Sequence, residues 1–197
     1  KKILVTGCHG FIMGYVIPIL LENGHEVWGV DNYWKYGKLA HGYDNHPNFH
    51  FTEGDAKDKA LLSKLLEENQ INIFVAAAAI IGGIAMFHKL AYFLLSENEK
   101  ITCAAFDACV EAYNGGKGAL EKIMVISSSM VFESCDVFPS AESDLPKCPP
   151  PQSTYGFQKL ACEYFAKGAY EQHGLPYVIV RPFNAVGVGE RRAVVAD

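Results

Sequence analysis

The sequence has no cysteine pair at CxxC spacing and no cysteine and histidine spacing of a zinc site, so no metal is expected. Its six cysteines (Cys8, Cys103, Cys109, Cys135, Cys148 and Cys162) stand alone and read as reduced, structural thiols of a cytoplasmic protein. A basic stripe is also missing. Seventeen Lys and Arg against twenty-two Asp and Glu give a net charge of -5, scattered along the chain, which excludes a nucleic-acid backbone as partner. No apolar run is long enough to span a bilayer, because the longest, residues 71–86, is interrupted by Gly82 and Gly83. Lys1 runs straight into a strand and a glycine loop, so no signal peptide is expected. Repeats and low-complexity tails are absent too, and 20% charged residues do not make a disordered chain. These absences leave a soluble, cytoplasmic protein whose partner is a small molecule.

What is present is an apolar fraction of 50% over 197 residues, enough for one substantial core. Short β-branched runs alternate with longer helical patterns, the signature of βαβ units. Strands are expected at residues 3–6, 26–30, 49–52, 71–76, 122–126 and 177–180. Helices are expected at 11–22, 61–68, about 88–113 and 154–173, with Asn23-Gly24 and Gly174 as stops. Residues 32–47 and 136–151 read as surface loops. The predicted fold is a single α/β domain over residues 1–197, a doubly wound parallel sheet of Rossmann type with about six strands.

The first strand leads into Thr6-Gly7-Cys8-His9-Gly10-Phe11-Ile12-Met13-Gly14. Glycines at a strand-to-helix turn let the backbone approach a pyrophosphate, which then rests on the N–H groups of the helix start. The third glycine of the usual spacing, which allows close packing of helix on strand, is replaced by Met13, a departure that predicts weaker cofactor binding. Asp31 ends the second strand about twenty residues on, where a carboxylate accepts the ribose hydroxyls and repels a 2′-phosphate, favouring NAD over NADP. Gly54-Asp55 follows the third strand, where an adenine contact falls, and Ala78 and Ala79 leave room for a flat cofactor after the fourth. The candidate cofactor-binding residues are therefore Gly7, His9, Gly10, Phe11, Ile12, Asp31, Asn32, Asp55, Ala56, Ala78 and Ala79.

Tyr155 and Lys159 share one helical face at i and i+4. A tyrosine ordinarily titrates near pH 10 (about 10), so a base of this type needs a neighbouring ammonium to favour the phenolate. Ser127-Ser128-Ser129 closes the fifth strand, on the side of a parallel sheet where ligands bind, and a hydroxyl there can hold a reacting oxygen. The order TG-x-x-G, Asp31, Gly54-Asp55, Ser-Ser before Val131-Phe132, Tyr-x-x-x-Lys and Arg181-Pro182-Phe183-Asn184 resembles the extended short-chain dehydrogenase/reductases, specifically the NAD-dependent epimerase/dehydratase family. The resemblance covers nearly the whole chain. It implies NAD as cofactor, Tyr155 as base, Lys159 holding the nicotinamide ribose and the tyrosine, and Ser128 as hydroxyl partner. It also implies Phe183 at the cofactor, with Ser128, Ser129, Met130 and Asn184 at a nucleotide-sugar substrate.

Within that resemblance, dehydratases carry Asp-Glu after the catalytic hydroxyl, where this chain has Ser129 and Met130. Residues 78–84 look like a segment of GDP-fucose synthases and GDP-mannose 3,5-epimerases, but those enzymes place a cysteine near Met130. A 4-epimerase-like cycle through a keto-sugar remains, with a nucleotide-sugar dehydrogenase or reductase, a dehydratase or a 3,5-epimerase as alternatives. A non-catalytic NAD sensor or scaffold is the alternative of another class. The family's C-terminal substrate domain is expected to be absent from this chain, which then represents part of a longer protein. A homodimer is implied by similarity.

Overall fold

The computed structural model describes residues 1–82, 89–116 and 118–190. In chain order the elements are β1 (Lys2–Thr6), α1 (Phe11–Glu22), β2 (Glu26–Asp31), β3 (Phe49–Glu53), α2 (Lys59–Glu68), β4 (Ile73–Ala76), α3 (Ala91–Asn114), β5 (Lys122–Ile126), α4 (Thr154–His173) and β6 (Tyr177–Val180). Two 3-10 turns, Ser129–Phe132 and Glu142–Lys147, lie between β5 and α4. The second of them interrupts the stretch expected to be plain loop.

All six strands are parallel, in the order β3-β2-β1-β4-β5-β6. Side chains alternate across each strand, and both faces are covered. Leu4 joins the core beneath α2, α3 and α4, with Leu62, Phe74, Ala108 and Ile123. Its neighbours Ile3 and Val5 join the opposite core beneath α1, with Met13, Ile17 and Val27. Met13 is buried at 4% exposure and belongs to the core beneath α1.

Element boundaries differ from expectation where polar side chains intervene. β4 starts at Ile73 and not at residue 71. Asn72 spends its side chain on the Lys2 N–H and the Ala119 carbonyl, which anchors the chain before pairing begins. α2 starts two residues early, because Asp58 caps it by accepting the Leu61 N–H at 3.0 Å. The expected start of the long helix at about His88, together with Gly83 and Ile84 of the segment 78–84, lies outside the described residues. Among the described residues no helix is long and apolar enough to cross a membrane.

After β3 the chain crosses β1 and β2 to place β4 on the other side of β1. At this reversal the loops after β1 and β4 diverge and open a crevice at the carboxyl ends of the strands.

Candidate active site

The crevice is a solvent-open cleft lined by the segments that follow β1, β2, β3 and β4. Its floor is the turn after β1. Gly7 has φ +71°, and a Cβ there would lie 2.9 Å from Ala78 Cα, so the close approach of the β1 and β4 loops requires glycine. Gly10 caps α1 without a side-chain hydrogen bond, which leaves the first N–H groups of the helix for an anion. Phe11 and Ile12 line the cleft beside them.

Asp31, at the end of β2, is fixed in place by two backbone donors. Its Oδ2 accepts the His9 N–H at 3.0 Å and its Oδ1 accepts the Tyr33 N–H at 2.7 Å. Further lone pairs of the carboxylate remain for ribose hydroxyls. Asn32, Asp55 and Ala56 line the same wall, and Ala78 and Ala79 the opposite one. The donors, the acceptor and the shape of the cleft therefore fit a dinucleotide.

Tyr155 and Lys159 come together on the first turns of α4. The Lys159 ammonium lies 6.0 Å from the centre of the Tyr155 ring and donates to the Ile126 carbonyl at 2.8 Å. That bond ties the buried lysine to the end of β5, and Ile126 also lines the cofactor cleft. Ser128 is buried and caps the 3-10 turn at Ser129–Phe132, accepting the Met130 N–H at 3.2 Å. Its own hydroxyl proton is left to donate. Ser129 and Met130 are half-buried in that turn. Phe183, 80% exposed, and Asn184 lie on the exposed segment after β6, outside the lining of the cleft.

Several contacts of the site have no signature in the sequence. The Lys35 ammonium reaches across the mouth to the Ile81 carbonyl at 2.8 Å, joining the loops after β2 and β4. His9 is 6% exposed, and its Nε2 meets Asp44 Oδ1 at 3.1 Å within a stack of Tyr33, His41 and Tyr43. One turn beyond Lys159 on α4, buried Glu163 accepts from Ser127 at 2.6 Å and from Arg181 through two bonds of 2.8 Å. The spacing Tyr155, Lys159, Glu163 at four-residue steps is the one signal that could have revealed it.

Fold and site together define a dinucleotide-binding domain that carries a Ser/Tyr/Lys group. The sequence profile of the NAD dependent epimerase/dehydratase family matches residues 3–196, and the chain belongs to that family. It is 30% identical over 189 residues to a UDP-glucose 4-epimerase of Halalkalibacterium halodurans, covering 94% of this chain and 51% of that protein. It is 26% identical over 196 residues to the dTDP-D-glucose 4,6-dehydratase of Homo sapiens, covering 95% of this chain and 52% of that protein. Among solved structures, the UDP-N-acetylglucosamine 4-epimerase of Methanobrevibacter ruminantium superposes with a TM-score of 0.77 at 28% identity, over 92% of this chain and 54% of that one. The chain thus spans about half the length of the relatives it matches.

Proposed function

We propose that this chain is the NAD-binding and proton-transferring part of a nucleotide-sugar 4-epimerase, with Ser128, Tyr155 and Lys159 as catalytic residues. The observation that supports the reading is the Lys159 bond to the Ile126 carbonyl, because Ile126 also lines the cleft that Gly7, Gly10 and Asp31 line. Gly7, Gly10, Phe11 and Ile12 hold the pyrophosphate, Asp31 and Asn32 the adenosine ribose, and Asp55 and Ala56 the adenine. Bound NAD supplies a hydride acceptor in the first half of the cycle and a hydride donor in the second.

Tyr155 takes the proton from the sugar hydroxyl as the hydride leaves the same carbon, giving a keto-sugar. Ser128, which accepts the Met130 N–H through one lone pair, has its hydroxyl proton to donate to that oxygen. The sugar turns over, the hydride returns to the other face, and Tyr155 returns the proton. Dehydration needs a further carboxylate beside the hydroxyl. Glu133, the acidic side chain of this turn, is instead spent on the Ser153 N–H and hydroxyl at 2.9 and 2.8 Å. That engagement favours epimerisation over water elimination.

The test uses the intact protein with UDP-, GDP- and dTDP-sugars, with products read by NMR. Tyr155→Phe should lower kcat by about 10²–10⁴-fold and leave NAD occupancy unchanged. If the wild type holds NAD, turns over none of the sugars and matches Tyr155→Phe, the catalytic reading is lost and the non-catalytic one takes its place.

A further inference from the structure

Below the cofactor cleft, three side chains with unlike donor atoms converge. Cys8 Sγ, an imidazole nitrogen of His9 and a carboxylate oxygen of Asp31 all lie within 4.8 Å of one another, the one such group among the described residues. Cys8 and His9 come from the turn after β1 and Asp31 from the end of β2, so linear spacing gives no sign of it.

The histidine is oriented for a ligand. Its Nε2 faces Asp44 Oδ1 at 3.1 Å, and a proton shared there makes the other nitrogen, Nδ1, the lone-pair side. Nδ1 points at Cys8 Sγ across 3.6 Å. Tetrahedral bonds of about 2.3 Å to sulfur and about 2.0 Å to nitrogen separate the two ligand atoms by about this much. A carboxylate behind a ligating imidazole is the usual outer support of such a centre. The positive end of α1 disfavours a cation here, and the carboxylates of Asp31 and Asp44 offset it.

We propose that Cys8, His9 and Asp31 form a site for a zinc-class divalent cation, with the fourth position open to the cleft. The donor set selects a borderline-soft ion and not magnesium or calcium. His9 and Asp31 line the cleft and give the ion its route. Binding forms the metal–sulfur bond and releases the Cys8 thiol proton to solvent. The ion takes the carboxylate that we assign to the ribose. It is therefore an inhibitor of cofactor binding, a consequence that rests on the function proposed above, whereas the site itself does not.

The experiment titrates the intact protein with Co2+ and Zn2+. One Co2+ per chain should give a thiolate charge-transfer band that Zn2+ abolishes. Cys8→Ser should remove the band, Cys135→Ser should keep it, and Asp44→Asn should weaken metal affinity by about 10–100-fold. Absence of the band in the wild type, or its persistence in Cys8→Ser, overturns the site. If Cys8→Ser does not fold, His9→Gln takes its place with the same expectation. NAD titrations with and without Zn2+ separate the two readings. A band with NAD binding that Zn2+ suppresses supports both. A band with no NAD binding even without metal keeps the site and removes the cofactor reading. A band with NAD binding that Zn2+ leaves unchanged removes the inhibitory role.

Discussion

A methyl group at Gly156 would meet the Met130 carbonyl oxygen at 2.8 Å and Pro151 Cβ at 2.7 Å. The start of α4 can therefore lie against the turn that carries Ser128 only because residue 156 has no side chain. Neither contact atom is the free end of a flexible group, so an alanine must push the helix start away. Gly156→Ala should displace Tyr155 and lower kcat by about 10²-fold, the usual cost of a 1 Å misplacement (about 1 Å) at a reacting group. NAD affinity, set at the other end of the cleft, should change little in a fluorescence titration. A variant with unchanged kcat would show that the contact does not position the tyrosine. At this scale Gly7, Gly10, Asp31, Tyr155 and Lys159 were legible, because each occupies a fixed step after a strand or along a helix. His9 with Asp44, and Lys35 with Ile81, were not. Those pairs join loops that follow different strands, and no local periodicity links them.

Three elements meet at Glu163. The side chain stands on α4, takes the hydroxyl of Ser127 from the end of β5, and receives Arg181 from the end of β6. Arg181 in turn lies over the Phe132 ring at 5.6 Å and 3.7 Å from Glu142, which ties in both 3-10 turns. Ser127 is thereby turned away into the interior while its neighbour Ser128 is held at the site. Glu163→Ala leaves Arg181 without its buried carboxylate and should cost about 3–5 kcal/mol in denaturant unfolding. A loss below about 1 kcal/mol would place the pair among weak, solvent-screened bridges. The strands and helices themselves were readable from periodicity. Their ends were less so, since Asn72 and Asp58 fix the starts of β4 and α2 through side-chain bonds to the backbone.

Across the whole molecule, α3 and α4 pack on one another and on the sheet, yet leave aromatic rings outside. Tyr92 is 83% exposed, Tyr164 66% and Phe157 50%, with Phe93 and Phe165 also partly bare. We propose that a second copy of this chain covers these rings. In that homodimer α3 and α4 lie at a two-fold axis, where each chain offers the same face. Sedimentation velocity should show a dimer for the wild type, and Tyr92→Glu with Tyr164→Glu should give monomers of unchanged fold. A wild type that sediments as a monomer at micromolar concentration would remove the dimer.

The sequence by itself determined the class of the protein. Alternating apolar runs specify βαβ units because each strand and helix must bury a periodic face, and the glycine turn, Asp31 and the Tyr155/Lys159 step are local patterns tied to those elements. Tertiary structure alone decided which distant residues meet. The strand order, the two separate cores, the Ser127–Glu163–Arg181 network and the convergence of Cys8, His9 and Asp31 all depend on how the sheet is wound. Hydrogen bonds and donor geometry act over a few ångströms of space, and only folding converts separation along the chain into such distances.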